Sequence, residues 1–331
     1  MSSHNLQKTK IMNDRQADQI RGIIFGQAVG DALGFGTEWL SKQRVAEEYP
    51  DQLNDYSQII RYGKLEGWSQ GDWTDDTDQM LCILDSLLEK REIDIHDIAT
   101  RFHHWAVTDG MGMGRTFYTV VHAPGFLENP YAIAEKVWED SGRKSAANGA
   151  VMRTSVLGIW QYKQPDQVKQ NAEQVSRITH RDPRCIGSCV AVCLTLSNLL
   201  QGETNINKLV SMISQVTRAY HSEFQEYFDK AFVSLEALDL DEGLNPGEKD
   251  RVGYTLKTLG AGFWALQHGK SYRDGILKII SEGGDADTNA AVAGALLGAK
   301  FGYRSIPQQW IDGLVYKQEL ATKVERLIAL V

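Results

Sequence analysis

Two acidic clusters lie far apart in this chain, and together they constrain its fold more than any other feature. The first is Trp73–Asp78 (WTDDTD) and the second is Gly283–Thr288 (GGDADT). Each cluster predicts a helix start, because free N–H groups and the helix dipole favour negative charge at that end. If the clusters meet, they form a negative pocket of oxygen ligands that needs cations, and Mg²⁺ or Mn²⁺ suits such ligands.

A meeting of the two clusters requires the front and the back of the chain to fold together. More than half of the 331 residues lies between Asp75 and Asp285. A chain of this length can form one large domain or two small ones. The separation of the clusters therefore favours a single compact domain over residues 15–331, after a polar N-terminal tail at residues 1–14.

Charge and composition argue against some classes of binding partner. The formal net charge is −8, and we see no basic stripe that displaces counterions from a nucleic-acid backbone. No run approaches the roughly 18 apolar residues of a membrane span. The start, MSSHNLQKTK, lacks the apolar core of a signal peptide. We therefore expect a cytoplasmic protein that binds neither nucleic acid nor a membrane.

Cysteine spacing gives no sign of a metal site. Cys185, Cys189 and Cys193 recur every fourth residue on an apolar segment. Metal-binding thiols usually come as CxxC pairs with further ligands. We therefore predict that these three cysteines are small core residues in a reduced protein.

Helical periodicity runs through nearly the whole chain, and convincing strand patterns are absent. Within residues 15–33, glycines recur every fourth position from Gly22 and form a ridge at which another helix can approach closely. Thr74 is the expected N-cap of the helix that follows it. The predicted helices are 15–33, 77–90, 95–107, 130–139, 166–178, 185–201, 206–219, 222–238, 253–267, 272–281, 288–300 and 318–329. Many helices joined by short loops predict an all-α bundle.

The second acidic cluster resembles the start of an EF-hand calcium loop, but it lacks two required residues. Such a loop needs glycine at its sixth position and glutamate at its twelfth. Counted from Asp285, these positions hold Ala290 and Leu296. The small apolar run that follows instead predicts a tightly buried helix whose first turn carries the carboxylates.

Several further residues are candidates for binding or catalysis. Glu38 follows a helix end, and Asp31 stands among small residues, where we expect it to bond nearby backbone. The loop Asp109–Thr116 places glycine at 110, 112 and 114, so it is either a phosphate-binding loop or a plain hinge. Asn148 and Gly149 form a small-residue turn. His180 precedes a helix and is either a ligand contact or a core histidine.

Five motifs, taken in order, resemble the ADP-ribosylglycohydrolase family. They are GQAVGDALGFGTEW, WTDDTDQM, NGAVMR, THRDP and GGDADTNAAVAGALLGA, and they span roughly residues 20 to 305. The resemblance implies a compact orthogonal all-α bundle with two divalent cations, Mg²⁺ or Mn²⁺. By motif position the metal ligands would be Thr74, Asp75, Asp76, Asp285, Asp287 and Thr288.

The resemblance also implies roles for the remaining candidates. Glu38 matches a mobile glutamate that gates the site and has been proposed as acid/base. Asn148 and Gly149 match the turn that holds ADP-ribose, and His180 matches the histidine beside it. The loop with Gly110, Gly112 and Gly114 looks like the diphosphate loop of the serine-type hydrolases.

Such enzymes cleave the bond between C1″ of the distal ribose and an amino-acid side chain. The bacterial arginine-type hydrolase has an aspartate in a DxGNT element, but here that stretch is Gly112–Thr116 (GMGRT). Glu38 is therefore the expected acid/base, with a metal-binding aspartate such as Asp76 or Asp287 as the alternative. Sequence does not decide whether the acceptor is arginine or serine.

We hypothesise a metal-dependent hydrolase that removes ADP-ribose from a modified protein or a small acceptor. Two rivals remain. One is a two-metal hydrolase of a nucleotide or of another ADP-ribose derivative. The other is a non-catalytic protein that binds ADP-ribose or confers immunity through the same pocket.

Overall fold

The computed structural model describes residues 13–60, 67–244 and 251–331. Within these ranges the chain forms sixteen α-helices and no strand, apart from one isolated antiparallel bridge between Ala147 and Tyr254. The helices are α1 (Asp14–Gly34), α2 (Lys42–Glu48), α3 (Asp75–Lys90), α4 (Ile95–Thr108), α5 (Arg115–Val121), α6 (Pro130–Asp140), α7 (Ser155–Ile159), α8 (Pro165–Ser176), α9 (Pro183–Leu200), α10 (Ile206–Thr217), α11 (Glu223–Val233), α12 (Thr255–His268), α13 (Tyr272–Ile280), α14 (Ala286–Phe301), α15 (Gln308–Asp312) and α16 (Lys317–Ile328). The predicted all-α bundle is confirmed.

The helices that the sequence pattern missed are short. The helices α2 and α5 have seven residues each, and α7 and α15 have five. Two turns or fewer cannot display a 3.6-residue period. The prediction of one helix over 222–238 is wrong for residues 234–238, because Ser234 is fully extended with φ −171° and ends α11.

Glycine packing joins α1 to α14 along most of their lengths. A methyl group added at any of four α1 glycines would overlap a carbonyl oxygen of α14. The pairs are Gly22 with Gly298, Gly26 with Gly294, Gly30 with Ala290 and Gly34 with Ala286. The predicted ridge is therefore a helix-packing surface, and the reversed order of partners makes the helices antiparallel. The end of α1 consequently lies at the start of α14.

Asp31 ties the end of α1 to the start of α3. Its Oδ1 accepts hydrogen bonds from Thr74 N (2.9 Å) and Thr74 Oγ1 (2.8 Å). Its Oδ2 accepts from Thr77 N (3.0 Å) and Thr77 Oγ1 (2.6 Å). Burial raises the pKa of Asp31 to about 7, and these hydrogen bonds oppose the rise. Asp31 thus bonds backbone, as predicted, and Thr74 occupies the N-cap position without a side-chain capping bond.

The helix α9 runs through the core. Cys185, Cys189 and Cys193 are buried and free, as expected of small core residues. In the part of the chain described, α9 alone has the length and hydropathy of a membrane span, a candidate that the sequence pattern missed, and 83% of it is buried inside the protein. Core helices of soluble proteins pass the same test. The predicted tail falls largely outside the described residues, and the domain boundary at residue 15 stays a prediction.

The glycine contact predicts a specific loss of stability. We expect Gly26→Ala to lower the free energy of unfolding by about 1–3 kcal/mol, because the added methyl group overlaps the backbone of α14. Alanine is otherwise the better helix former. Thermal and urea unfolding would measure the change. The matched control is Gly114→Ala, whose methyl group meets no atom within 4 Å. Equal stability of the two variants would contradict close packing of α1 on α14.

Candidate functional site

The starts of α3 and α14 face each other, so the two acidic clusters meet. Thr288 Oγ1 donates a hydrogen bond to Asp76 Oδ2 at 3.3 Å, although the two residues are 212 positions apart. Thr74 Oγ1, which also donates to Asp31, lies 3.1 Å from the same Asp76 oxygen. Asp76, Asp287 and Thr288 are all buried. Side chains from both ends of the chain therefore share one polar site.

A second group of oxygens lies beside this contact. One carboxylate oxygen from each of Glu38, Asp285 and Asp287 lies within 4.8 Å of the others. The chain after Glu38 is held by backbone hydrogen bonds to Gly284: Trp39 N donates to Gly284 O at 2.7 Å, and Gly284 N donates to Leu40 O at 2.9 Å. These bonds fix the loop of Glu38 against the segment that leads into Asp285.

Burial and mutual repulsion of these carboxylates make the arrangement unfavourable when no cation is bound. Burial raises the pKa of Asp75, Asp76 and Asp287 well above the usual range of aspartate. Neighbouring carboxylates add to the rise, with the charge of Glu38 acting on both Asp75 and Asp287. Burial also raises the pKa of Asp285, while the hydrogen bond from Asn148 lowers it. A divalent cation would relieve this repulsion by stabilising the ionised carboxylates.

The residues fit hard divalent cations on two grounds. Within the described ranges, Oδ1 of Asp76 is buried and has no hydrogen-bond partner, a state that a metal ligand resolves. The candidate ligand atoms are all carboxylate or hydroxyl oxygens, which Mg²⁺ and Mn²⁺ prefer. The residues that could hold cations are Glu38, Thr74, Asp75, Asp76, Asp285, Asp287 and Thr288.

A cavity of about 380 Å³ adjoins this acidic site. Most of the residues proposed from sequence line it. They are Glu38, Asp75, Gly112, Gly114, Asn148, Gly149, His180, Asp285, Asp287 and Thr288. Thr74 and Asp76 do not line the cavity. Gly110 also lies outside the lining, because it packs on the end of α4, where an added methyl carbon would lie 2.6 Å from Ala106 O.

Asn148 is directed at the acidic site itself. Its Nδ2 donates to Asp285 Oδ2 at 2.7 Å and to Thr258 Oγ1 at 2.9 Å. Its backbone N donates to Gly253 O at 2.9 Å, where Gly253 has a left-handed φ of 77°. Sequence reasoning missed Thr258 and Gly253. Neither stands in a recognisable motif, and only the fold brings α12 beside α14.

His180 lines the cavity although it is only 2% exposed. A methyl carbon at Gly149 would lie 3.2 Å from both His180 Cε1 and His180 Nε2, so the turn packs closely on the imidazole. Burial, together with the charge of Arg153, lowers the pKa of His180 to about 3. The imidazole is therefore neutral at neutral pH.

The glycine loop lies against the acidic start of α3. Gly112 has a left-handed φ of 82°, and a methyl carbon there would lie 3.2 Å from Asp75 Oδ1. Gly114 is the N-cap residue of α5 and lies in open space. The loop thus brings its backbone to the cavity wall next to a candidate metal ligand.

A second cavity of about 530 Å³ adjoins the first, since Arg115, Thr116 and His180 line both. Trp138 and Lys144 also line this second cavity. Arg115 and Lys144 are exposed and provide positive charge to this second cavity, and Arg115 also lines the first. No sequence motif marks this cavity, because its walls come from separate segments.

Comparison with known proteins decides the family. The family model for ADP-ribosylglycohydrolases matches residues 12–331. The chain belongs to the ADP-ribosylglycohydrolase family. The resemblance carried by the five sequence motifs is thereby confirmed, and membership supports ADP-ribosyl glycohydrolase activity.

Known members of the family match this chain over most of their lengths. The ADP-ribosylarginine hydrolase Tri1 of Serratia proteamaculans is 25% identical, over 96% of this chain and 81% of the relative. The ADP-ribosyl-dinitrogen-reductase glycohydrolase of Rhodospirillum rubrum is 26% identical, over 95% of this chain and 96% of the relative. The solved structure of an ADP-ribosylglycohydrolase-related protein complex has a TM-score of 0.76 at 25% identity, covering 96% of this chain and 99% of that one.

The buried carboxylates predict a pH-dependent response to cations. Folding raises the pKa of Asp75, Asp76 and Asp287, so the folded, metal-free protein binds more protons than the unfolded chain. Its stability should therefore fall as pH rises above about 4, the ordinary pKa of aspartate. At pH 7, Mg²⁺ or Mn²⁺ at about 100 times its Kd should add about 2.7 kcal/mol. Thermal unfolding with chelator or with cation, across pH, measures both effects.

Two substitutions sharpen this test. Asp287→Asn removes one buried charge, so we expect it to stabilise the metal-free protein and to abolish the gain from cations. Asp51→Asn changes an exposed carboxylate and should keep the full gain. An undiminished gain in Asp287→Asn would show that cations act elsewhere.

Proposed function

We propose that this protein hydrolyses the bond between C1″ of an ADP-ribosyl group and the arginine or serine side chain that carries it. One observation supports the proposal above the others. The acidic starts of α3 and α14 form one wall of a cavity whose other walls are the glycine loop, the turn at Asn148 and His180. A ligand in that cavity lies against the carboxylates of both clusters.

The proposed site uses two divalent cations, Mg²⁺ or Mn²⁺. When bound, they supply Lewis acidity and positive charge for an anionic substrate. We propose these ligands from the motif positions and from the oxygens described above: Thr74, Asp75, Asp76, Asp285, Asp287 and Thr288.

Glu38 is the proposed acid/base. Its carboxylate lines the cavity and lies among the oxygens of Asp285 and Asp287. From that position it can accept the proton of a water that attacks C1″ and return a proton to the leaving side chain. Asp76 and Asp287 are the alternative proton acceptors. The loop Gly112–Thr116 holds no acid, and Asp109 does not line the cavity.

The rest of the substrate would occupy the remainder of the two cavities. The backbone at Gly112, Gly114 and Gly149 leaves room for a close approach of the ligand. Arg115 and Lys144 offset the charge of the diphosphate. Trp138 offers an aromatic wall to the adenine ring in the adjoining cavity.

The proposal extends to location and partners. The net charge of −8 supports a modified protein or a small ADP-ribosyl compound as substrate, rather than a nucleic-acid backbone. The reduced, unpaired cysteines support a cytoplasmic location.

Because the loop Gly112–Thr116 holds no acid, we also consider a second candidate function. Without that acid, the same pocket can serve a protein that only binds ADP-ribose. It can also serve a hydrolase of another ADP-ribose derivative or of a nucleotide. A catalyst clears many equivalents of substrate, whereas a binder acts only stoichiometrically.

The proposal predicts metal-dependent turnover that Glu38 controls. Purified protein should release ADP-ribose from arginine- or serine-linked substrate with Mg²⁺ or Mn²⁺, and chelation should stop it. Glu38→Gln should lower kcat by about 10²–10⁴-fold, as for loss of a general acid/base. Chromatography of released ADP-ribose measures the rate.

Two controls complete the assay. Glu92→Gln changes an exposed glutamate and should keep full activity, while Asp287→Ala should lose both metal binding and turnover. Release of ADP-ribose that survives chelation or Asp287→Ala would contradict the proposal. Stoichiometric release alone would favour a binding protein.

A further inference from the structure

Arg153 is fully buried, and both of its described acceptors are neutral oxygens. Nη1 donates to Gln79 Oε1 at 2.5 Å, and Nη2 donates to Thr179 Oγ1 at 2.6 Å. The guanidinium lies 4.3 Å from the ring centre of Phe102 and 5.3 Å from that of Phe117. Burying a charged group that has only neutral acceptors costs folding free energy. The directions of its two hydrogen bonds indicate what Arg153 does at this position.

On one side, Arg153 sets the orientation of the Gln79 amide. Arginine can only donate hydrogen bonds, so the oxygen of the Gln79 amide must face it. The amide nitrogen then faces the other way and donates to Asp75 Oδ2 at 3.0 Å. Asp75 lines the cavity, and its other oxygen faces Gly112.

On the other side, Arg153 donates to the hydroxyl group that contacts His180. Thr179 Oγ1 accepts from Arg153 and lies 2.8 Å from His180 Nδ1. Among the described contacts of Thr179 Oγ1, only His180 Nδ1 can accept the hydroxyl proton, because Arg153 can accept nothing. When Nδ1 accepts that proton, it is unprotonated and the neutral ring carries its own proton on Nε2. That nitrogen faces Gly149 at the cavity wall.

We propose that Arg153 is a positioning residue whose donor-only guanidinium turns His180 Nε2–H into the cavity as a hydrogen-bond donor and, through Gln79, holds Asp75 at the cavity wall. A neutral residue of similar size would fill the space at a lower desolvation cost. It would not fix the orientation of the Gln79 amide or the direction of the Thr179 hydroxyl. The identity of the acceptor rests on the proposed function: it is an oxygen of the ADP-ribosyl ligand. The direction of the relay rests on the described contacts alone.

Nitrogen-15 NMR of the histidine side chains in the full-length protein tests the relay. The chain has eight histidines, and His180→Gln assigns the relevant signals. We expect His180 as the Nε2–H tautomer in the wild type. Arg153→Gln can donate or accept, so it should yield a mixture of tautomers or the Nδ1–H form. Arg153→Lys is again donor-only and should restore Nε2–H.

Binding of ADP-ribose gives a second readout. Calorimetry should show about tenfold weaker binding to Arg153→Gln, the loss of roughly one hydrogen bond, and recovery in Arg153→Lys. If the Arg153 variants do not fold, Thr179→Val breaks the relay at its second link and Thr179→Ser preserves it, with the same two readouts.

The outcomes separate the two proposals. An Nδ1–H tautomer in the wild type, or an unchanged tautomer in Arg153→Gln or Thr179→Val, would overturn the relay, whatever the enzyme hydrolyses. Absence of hydrolysis with the expected tautomer changes would overturn the proposed function and leave the relay in place.

Discussion

The contact between α1 and α14 is the constraint on which the rest of the structure depends. Glycine or alanine at every crossing point lets the two backbones touch, and larger side chains would separate them. Because the helices run antiparallel, the end of α1 lies at the start of α14. Asp31, on the last turns of α1, then holds the start of α3 in the same place. One close contact thus brings two acidic helix starts together.

Stability and function oppose each other at this site. Helix N-termini favour negative charge, yet burial and mutual repulsion raise the pKa of Asp75, Asp76 and Asp287 well above normal. The packed helices and the hydrogen bond between the two clusters hold the carboxylates together against this repulsion. Asn148, which donates to Asp285, contributes to that preorganisation. A site so arranged can hold hard cations without refolding around them.

The features that could be predicted from sequence are repeating residue patterns and groups of residues that local interactions alone do not stabilise. The glycine ridge, the long amphipathic helices and the adjacent aspartates at 75–76 are such signals. Features assembled from distant segments were not visible. Three contacts depend on which helices are neighbours in the fold. They are the hydrogen bond from Asn148 to Asp285, the hydrogen bond from Asn148 to Thr258, and the hydrogen bonds of Arg153. Sequence analysis also missed the helices of five to seven residues, because so few side chains cannot display a helical period.

The central claim is that α3 and α14 jointly surround shared divalent cations. Anomalous diffraction from crystals grown with Mn²⁺ tests it most directly. The account predicts manganese peaks in contact with carboxylates of both acidic clusters, those at 75–76 and those at 285–287. Manganese held by one cluster alone, or bound only at other surfaces, would contradict it.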